Sequence, residues 1–348
     1  MYFFRNLFFD KRKNACGRYG ALKIGLIADE LTAASLEVEC NVLNLTPRNY
    51  RAALHFWKPD LIFVESAWNG LKGSWKYQLA EYPTHPERNN KKLEELLLYA
   101  RHLGIPAVFW NKEDGVHYQR FLRTARLFDN IFTVDINCVE KYRQDVPHCA
   151  NVAPLMFPVQ PRFHFLLPKN EPKRGFGCFV GSYSNHIHEK RRYWQDMLFE
   201  TVAPYGLDIY DRNYKRKASH YRYPVRPGMH VHPGVPYSRT AGLYRSYKIN
   251  LNVNTVENSC TMYSRRLIEI LAVGGIAVSA PSMAVSHLFS EFCYVVNSRE
   301  SIFACLEEVQ HDSAYRMAIQ RAQAGAQLIA ERHTWENRLS EIEGFSIF

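Results

Sequence analysis

The stretch from Tyr247 to Ala280 constrains the fold more than any other part of the sequence. Residues 248–254, KINLNVN, alternate apolar and polar side chains, as a strand does when one face is buried. After a polar turn, residues 264–273 have helical character, and Gly274 and Gly275 stand where a left-handed residue is expected to end the helix. Residues 276–280 form a short apolar strand. The stretch therefore predicts a β-α-β unit.

The start of this helix has the chemistry of a phosphate site. Free N–H groups and the positive end of the dipole favour a phosphate at a helix N-terminus, and Arg265 and Arg266 add two full charges there. Glu269 follows about one turn deeper, where its carboxylate can accept hydrogen bonds from paired hydroxyls such as those of a ribose. This combination predicts a nucleoside diphosphate. The alternative is that Glu269 pairs with an arginine of its own helix.

The composition is that of a globular protein with room for two domains. The chain has 348 residues, of which 47% are apolar and 22% are charged. Its formal net charge of +10 indicates an anionic partner. Nucleotides, acidic polymers, nucleic acids and membrane surfaces all satisfy that requirement, so the charge is also compatible with peripheral membrane association.

The sequence predicts neither a membrane span nor a secreted protein. No apolar run reaches the length that a bilayer crossing needs. The opening Met1–Phe9 is apolar, but Arg5 interrupts it and basic residues follow it in place of a small-residue cleavage site. The eight cysteines, Cys16 among them, are scattered without a CxxC pair, which favours reduced, buried thiols and no zinc site. We therefore expect a cytoplasmic location.

Short apolar strands alternate with helices along the chain, which predicts parallel α/β sheets. In the first half we expect strands at residues 22–28, 37–42, 61–65, 106–110, 130–134 and 152–156, and helices at 46–55, 93–103, 119–128 and 139–143. Asp29 or Thr32 is expected to cap a further helix. In the second half we expect strands at residues 176–180, 207–210 and 293–297, a helix that carries Lys190, Arg191 and Arg192, further helices at 238–246, 301–309 and 313–331, and a loop over 214–232.

Several short motifs carry a resemblance to a known family. They are Phe179-Val-Gly-Ser-Tyr183, Tyr247-Lys-Ile-Asn-Leu-Asn252, the pattern R-x-x-E-x-x-A-x-G-G from Arg266 to Gly275, and His333-Thr-Trp-x-x-Arg338, with Val64–Gly70 and Phe109–Asp114 in the first half. With these motifs the chain resembles the glycosyltransferases of the GT-B fold, and within them the group similar to the spore-maturation protein CgeB. The resemblance covers most of the chain from about residue 22 onward.

The resemblance implies an α/β protein with two Rossmann-like domains that face each other across a cleft. We expect an N-terminal, acceptor-side domain at residues 1–160 and a C-terminal domain for the nucleotide sugar at 161–332, divided in the proline-rich stretch 157–175. Residues 333–348 are expected to form a helix that packs back on the first domain.

The resemblance also implies donor contacts at Gly181, Ser182, Arg266 and Glu269. With the adjoining motif residues, the expected donor site comprises Gly181, Ser182, Tyr183, Asn252, Ser264, Arg265, Arg266 and Glu269. The commonest retaining members have a second acid eight positions before the helix glutamate. This chain has Thr261 there, so the stereochemical outcome does not carry over.

The candidate catalytic residues follow buried strands of the first half. Glu65, Glu113, Asp114 and His117 lie where two strands end, at the edge of the sheet where ligands bind in open α/β folds. Carboxylates near one crevice repel each other, which can raise one pKa into the range of a general base. The alternative is that Asp114 caps the next helix and that Lys112 pairs with Glu113 in solvent.

The acceptor-binding candidates are Trp68, Asn69 and Lys112. Trp68, Trp75 and Trp110 could stack on sugar rings, although tryptophans next to strands are also typical of the core. A basic loop either helps to hold an anionic donor or a charged glycan, or is a solvated face; its cations are Arg212, Lys215, Arg216, Lys217, Arg222 and Arg226.

The predicted function is transfer of a sugar from a nucleoside-diphosphate sugar to a cell-envelope, capsular or related glycan. No cofactor is expected beyond the nucleotide sugar, and no metal, because the sequence has no DxD motif. The alternatives are a sugar-nucleotide epimerase, a non-catalytic nucleotide-sugar binder, and a basic nucleic-acid-binding or base-glucosylating protein. No nucleic-acid motif is present, so we expect no nucleic-acid partner.

Overall fold

The computed structural model describes residue 15 and residues 17–168 and 172–348, which form two compact α/β units. The first unit consists of the described residues up to Phe157 together with Trp335–Phe348, and the second is Pro158–Thr334. The predictions made for Met1–Phe9 and for Cys16 lie outside the described residues. No helix in the described part of the chain combines the length and the apolarity that a bilayer crossing requires.

The first unit contains a six-stranded parallel sheet in the order β2-β1-β3-β4-β5-β6. Its strands are β1 Lys23–Ile27, β2 Asn41–Asn44, β3 Leu61–Glu65, β4 Ala107–Asn111, β5 Asn130–Thr133 and β6 Asn151–Pro154. Its helices are α1 Glu30–Leu36, α2 Tyr50–Ala52 with a π-helical continuation at Ala53–Trp57, α3 Lys91–His102, α4 Tyr118–Ala125, α5 Val139–Asp145 and α12 Trp335–Glu343, with short 3₁₀ turns at Leu71–Gly73 and Ile136–Cys138.

Helix α12 completes the core of the first unit. Trp335 is 2% exposed, and its ring lies 6.1 Å from that of Phe63 and 5.5 Å from that of Trp110. Arg338, one turn further, is also buried and donates its Nε hydrogen to the carbonyl oxygen of Met156 at 2.8 Å. The last helix of the chain therefore buries aromatic surface that β3 and β4 would otherwise expose to water.

The second unit contains another six-stranded parallel sheet, in the order β12-β11-β10-β7-β8-β9. Its strands are β7 Gly175–Gly181, β8 Leu207–Asp211, β9 Met229–Pro233, β10 Tyr247–Asn252, β11 Ala277–Ser279 and β12 Tyr294–Val295. Its helices are α6 Glu189–Val202, α7 Tyr237–Ser246, α8 Arg265–Ala272, α9 Met283–Leu288, α10 Arg299–Glu308 and α11 Asp312–Arg332, with 3₁₀ turns at Ala203–Tyr205 and Ser219–Tyr221.

Most predicted elements are confirmed, among them the β-α-β unit of β10, α8 and β11. Gly274 has a φ of +69°, the left-handed conformation expected at the end of this helix. The expectation that β10 has one solvated face is wrong. Asn250 and Asn252 are both 0% exposed, because their amides donate to the carbonyl of Tyr244 at 2.9 Å and to the hydroxyl of Ser279 at 2.9 Å.

Two other predictions are corrected by the structure. The strand expected at residues 37–42 begins only at Asn41, because the N–H groups of Glu37 and Cys40 bond to carbonyls of α1 and extend its last turn. The loop expected over residues 214–232 ends in strand β9, which pairs with β8 at the edge of the sheet. Of the described cysteines, Cys40, Cys138, Cys178, Cys293 and Cys305 are buried, and all seven are free thiols.

Candidate functional site

The chain reverses its direction across the second sheet between β7 and β10. Strands β8 and β9 extend the sheet on one side of β7, whereas β10, β11 and β12 extend it on the other. Ligands of open α/β sheets bind beside the carboxyl ends of the strands at such a switch point. In this unit Gly181 ends β7 and Asn252 ends β10, so the motif residues meet at the place where the fold favours a ligand.

Arg266, the second residue of α8, spans this switch point. Its Nε donates to the carbonyl of Val180 at 2.6 Å, and its Nη1 lies 3.5 Å from the Oδ1 of Asn252. Its guanidinium also stacks 4.2 Å from the ring centroid of Phe179. Gly181 allows this approach, since a Cβ there would lie 2.8 Å from Nη2 of Arg266. The cation is thus 8% exposed and fixed in position.

Two more arginines lie in the same region. Arg191 of α6 donates from Nη2 to the carbonyl of Ser182 at 3.1 Å, and the backbone N–H of Arg212 donates to the carbonyl of Gly181 at 3.0 Å. Burial, together with the charges of Arg266 and Arg212, lowers the pKa of Arg191 to about 10. Like charges held together repel, so the cluster of Arg191, Arg212 and Arg266 favours a bound anion.

A buried hydroxyl completes this arginine cluster. Tyr223 is 8% exposed and packs against the rings of Tyr183 and Phe199. Among the described residues its hydroxyl oxygen has no hydrogen-bond partner, and the same holds for Nε of Arg191. Burial and the charge of Asp211 raise the pKa of Tyr223, so the hydroxyl stays protonated and can donate a hydrogen bond to an oxyanion. Unsatisfied donors beside clustered cations are what a phosphate would satisfy.

Glu269 lies one turn further along α8 and is 5% exposed. Its Oε2 accepts a hydrogen bond from the hydroxyl of Tyr244 at 3.2 Å. Burial raises the pKa of Glu269 to about 7, although the charge of Arg265, the bond from Tyr244 and the charge of Arg266 oppose the shift. Both the protonated and the ionised form of this carboxyl group are therefore populated near neutral pH.

The other expected donor residues lie around this cluster. Ser264 occupies the N-cap position of α8 without a side-chain cap, and its N–H donates to Oδ1 of Asn254 at 3.1 Å. Arg265 is half-buried at the first position of the helix. The hydroxyl of Tyr183 donates to Asp196 at 3.0 Å, which orients the loop after β7. The donor-binding role of these residues stays a prediction.

In the first unit, the switch point lies between β1 and β3 and holds three linked charges. The ammonium of Lys112 pairs with the fully buried Glu65 and lies 3.3 Å from Asp29. Asp29 in turn accepts hydrogen bonds from the backbone N–H groups of Trp68, Asn69 and Gly70 at 3.2, 3.2 and 2.9 Å. The proposed pairing of Lys112 with Glu113 in solvent is thus replaced by a half-buried network that fixes the loop after β3.

The same hydrogen bonds correct the role expected of Asp29. Asp29 stands at the N-cap position of α1 but makes no side-chain cap bond, because its carboxylate is turned toward residues 68–70. Neither its spacing nor its neighbours in the sequence indicated this long-range contact. A carboxylate that directly follows the first strand of a parallel sheet is the signal that could have suggested it.

Asp114 is buried in the first unit rather than placed at a helix start. Its Oδ1 accepts hydrogen bonds from the amide of Asn111 at 2.7 Å and the hydroxyl of Tyr142 at 2.9 Å, whereas His117 occupies the N-cap position of α4. The alternative that Asp114 caps this helix is therefore wrong. Burial raises the pKa of Asp114 to about 8, because the charged form loses its hydration.

The remaining candidates of the first unit differ in exposure. Glu113 and His117 are half-buried, and burial with the charge of Arg120 lowers the pKa of His117, which keeps its ring neutral near pH 7. The ring of Trp68 is partly exposed and lies 5.1 Å from that of His117 in an edge contact. Trp75 and Trp110 are buried and donate to backbone carbonyls, so they belong to the core. Catalytic and acceptor-binding roles here stay predictions.

Neither Arg191 nor Tyr223 is recognisable as a candidate site residue from the sequence. Arg191 stood in a run of three cations that is typical of a solvated helix face, and Tyr223 lay in a segment without a recognisable structural pattern. Arg212 was considered only as a member of the basic loop. What these residues share is their position in the fold. Arg191 lies on α6 between β7 and β8, Arg212 directly follows β8, and Tyr223 lies between β8 and β9.

Comparisons with known proteins agree with this architecture. Residues 191–344 match the model of a family described as glycosyl transferase-like. An α-glucosyltransferase in complex with UDP and a 13-mer DNA containing an HMU base is similar, with a TM-score of 0.62 and 13% identity over 92% of this chain and 86% of that chain. HepE from Anabaena, in complex with UDP, has a TM-score of 0.54 and 12% identity over 94% of this chain and 92% of its own.

A sucrose-phosphate synthase from Thermosynechococcus elongatus is also similar, with a TM-score of 0.51 and 10% identity over 91% of this chain and 78% of that chain. No curated protein sequence matches significantly. At identities this low, the structural likeness concerns the fold alone. The fold is that of the GT-B glycosyltransferases, and residues 191–344 are similar to the glycosyl transferase-like family.

Proposed function

We propose that this chain transfers a sugar from a nucleoside-diphosphate sugar to a cell-envelope, capsular or related glycan. The observation that carries the proposal is the cluster of Arg191, Arg212 and Arg266 with the unpartnered hydroxyl of Tyr223, at the switch point of the second sheet. Glu269, one turn deeper on α8, is the expected acceptor for the ribose hydroxyls. Three cations and one deeper carboxyl group match a diphosphate joined to a pentose.

The chemistry needs help mainly at the leaving group. The acceptor oxygen forms a bond to the anomeric carbon while the bond from that carbon to the β-phosphate oxygen breaks. The diphosphate leaves with the bonding electron pair, and the proton of the acceptor hydroxyl passes to a base. The arginine cluster would stabilise the charge that develops on the diphosphate, and the hydroxyl of Tyr223 would donate to one of its oxygens.

The base is proposed among Glu65, Glu113, Asp114 and His117 of the first unit. Glu113 and His117 expose part of their surface and can be reached by an acceptor, whereas Glu65 and Asp114 are 0% exposed. The neutral ring of His117 has a lone pair for a proton near pH 7. Trp68, Asn69 and Lys112 are the proposed acceptor contacts, since Asp29 holds both the loop after β3 and the ammonium of Lys112.

The finer parts of the proposal rest on several supports. UDP is the proposed nucleotide, because HepE and the α-glucosyltransferase with similar folds bind it. Membership of the CgeB-like group rests on the motifs around Gly181, Glu269 and Gly274. Independence of metal is proposed because the sequence has no DxD motif and arginines can stabilise the diphosphate. A cytoplasmic location is proposed because the eight cysteines are scattered without a CxxC pair, and a role in polysaccharide synthesis follows from the proposed glycan acceptor.

A thermal-shift titration tests the donor site. UDP and UDP-glucose should raise the melting temperature of the native protein, because a ligand that binds only the folded state stabilises it by mass action. Glu269→Gln keeps an oxygen for the hydroxyl of Tyr244 but removes the charge, and Glu269→Ala removes both. Both variants should lose about tenfold or more in affinity for UDP, as when a hydrogen bond to a charged group is lost.

The matched control is Glu307→Ala, since Glu307 is exposed on α10 of the same unit. This variant should respond to UDP as the native protein does. A native protein that is not stabilised by any nucleoside diphosphate would overturn the proposed function. Equal affinities of the native protein and both Glu269 variants would remove Glu269 from the donor site.

A further inference from the structure

The second unit contains a long segment without a single acidic residue. From Arg212 to Val256 the sequence has no Asp or Glu, while it has nine lysines and arginines. The chain as a whole has 44 basic and 34 acidic residues, so an interspersed surface would place several acids here. The segment therefore carries a concentration of positive charge that the composition of the chain does not require.

The tip of this segment holds its cations close together in a fixed loop. Arg222 donates from its two terminal nitrogens to the carbonyls of Tyr214 and Arg216, at 2.7 and 2.6 Å. The guanidinium of Arg216 lies 4.7 Å from the ring centroid of Tyr221. These contacts close the loop on itself, so that Lys215 and Lys217 are exposed next to Arg216.

The base of the same loop is anchored to the body of the unit. Arg226 pairs with Glu200 at 2.7 Å and lies 3.6 Å from Asp196, both on α6. The N–H of Asn185 donates to the carbonyl of His220 at 3.0 Å, which ties the loop to the segment after β7. Asp196 and Glu200 are thus used at the base, and the charge at the tip is left to solvent.

The acid that directly precedes this loop in the sequence, Asp211, does not neutralise the tip. Asp211 ends β8 and is 2% exposed, and its carboxylate accepts the N–H of Asn213 at 2.7 Å. Burial raises its pKa, while the charges of Arg222, Arg212 and Arg216 act in the opposite direction. One buried carboxylate therefore faces three arginines of a loop that also carries the exposed Lys215 and Lys217. Holding like charges in a closed loop costs free energy that an anionic partner would offset.

The loop begins at the proposed donor site. The backbone of Arg212 bonds to Gly181, and the charge of Arg212 acts on Arg191, Arg266 and Glu269. A polyanion lying on Lys215 and Lys217 would therefore run close to the leaving diphosphate. Resting on the proposed function, we infer that the acceptor is an acidic glycan, with carboxylate or phosphate groups along its length, and that the loop of residues 212–222 binds it.

The observations favour an acidic glycan over a nucleic acid. Proteins that bind single strands combine a basic groove with aromatic faces on which the bases stack. Here one face of Tyr221 is taken by Arg216, and His220 and His186 lie against each other at 4.1 Å between ring centroids. Tyr214, which is 41% exposed, is the one large aromatic side chain of this loop with substantial exposure. Charge rather than stacking is therefore what the loop offers.

A binding measurement tests the inference with defined polymers. Fluorescence anisotropy would follow labelled polygalacturonate, a polymer of uronic acid, against neutral dextran and a dT30 oligonucleotide. The native protein should bind polygalacturonate with an affinity that falls as salt rises, and should not bind dextran. Lys215→Gln/Lys217→Gln should weaken binding of polygalacturonate roughly three- to thirtyfold, by the loss of two exposed ion pairs.

The matched control is Lys91→Gln/Lys141→Gln, which removes two exposed lysines of the first unit and the same net charge. This control should bind polygalacturonate within about twofold of the native protein. Equal losses in both double variants would show that only net charge matters and would overturn the inference. Tighter binding of dT30 than of polygalacturonate would also overturn it, in favour of a nucleic-acid partner.

Titration of UDP in parallel separates this inference from the proposed function. Lys215→Gln/Lys217→Gln should keep the native affinity for UDP, because neither lysine contributes to the arginine cluster. If UDP stabilises both proteins while their affinities for polygalacturonate are equal, the acceptor inference fails and the donor site stands. If polygalacturonate binds as expected and UDP does not bind at all, the proposed transfer fails.

Discussion

Replacing Arg191 by methionine separates a ligand-binding arginine from a structural one. Lowering the pKa of Arg191 from its usual 12.5 to about 10 means that the folded state disfavours the charge. At about 1.4 kcal/mol per pH unit this penalty is roughly 3 kcal/mol. Because Arg191 is only half-buried, solvent screens part of it, and we take about 1–2 kcal/mol. The penalty is fully present at every pH below about 10.

The variant also loses a hydrogen bond. Arg191 donates to the carbonyl of Ser182 at 3.1 Å, a contact worth about 1 kcal/mol. The two effects oppose each other, so Arg191→Met should change the stability of the ligand-free protein by less than about 1 kcal/mol, or roughly 2–4 °C in melting temperature. The affinity for UDP should instead fall about 10- to 150-fold, as expected when a charge-assisted bond to phosphate is lost.

Calorimetric titration of UDP together with thermal unfolding measures both quantities. Arg192→Met is the matched control, since Arg192 lies on the same helix and donates to the carbonyl of Asn185 at 2.5 Å. It should keep its affinity for UDP within about twofold, because it lies outside the arginine cluster. A melting temperature of Arg191→Met that is far below the native value, combined with an unchanged affinity for UDP, would refute the reasoning and make Arg191 a structural residue.

Two further changes probe the buried polar groups. Tyr223→Phe removes a hydroxyl that has no described partner, so the melting temperature of the ligand-free protein should stay the same or rise slightly. Calorimetry should show an affinity for UDP that is lower by about 5- to 30-fold and an unchanged affinity for uridine. A large loss of stability would contradict this prediction. Asp114 has a pKa of about 8 in the folded state. Because the folded state holds this proton more tightly, the stability it contributes is present at low pH and is lost as the pH rises from the ordinary carboxyl range through about 8. Asp114→Asn should therefore remove part of the decline in urea stability between pH 5 and pH 8, and an unchanged decline would show that another group causes it.

Local patterns were enough to predict most of the two sheets. Strand β3 is recognisable from its unbroken apolar run, and helix α3 from its apolar periodicity and from Gly104 at its end. Strand β9 was missed because an edge strand with His230 and His232 lacks such a run and depends on its pairing with β8. Strand β10 was misjudged because the polar partners of Asn250 and Asn252 lie on other elements.

The candidate donor site was predictable only in part. The N-terminus of α8 with Arg266 could be found, because its residues are contiguous in the sequence. The other members of the arginine cluster and Tyr223 come from separate segments, and only the strand order brings them together. Likewise, the contact of Asp29 with residues 68–70 joins positions about 40 residues apart, for which a single sequence holds no signal.

Helix α12 has a consequence for how the chain acquires its structure during synthesis. The first unit is built from two pieces of sequence, and the second unit is inserted between them. While residues 158–334 emerge from the ribosome, the rings of Phe63 and Trp110 that Trp335 later covers stay exposed to water. A polypeptide that stops before Trp335 would leave Phe63 and Trp110 uncovered, and it should become a target for chaperones and proteases even though every strand of both sheets is present.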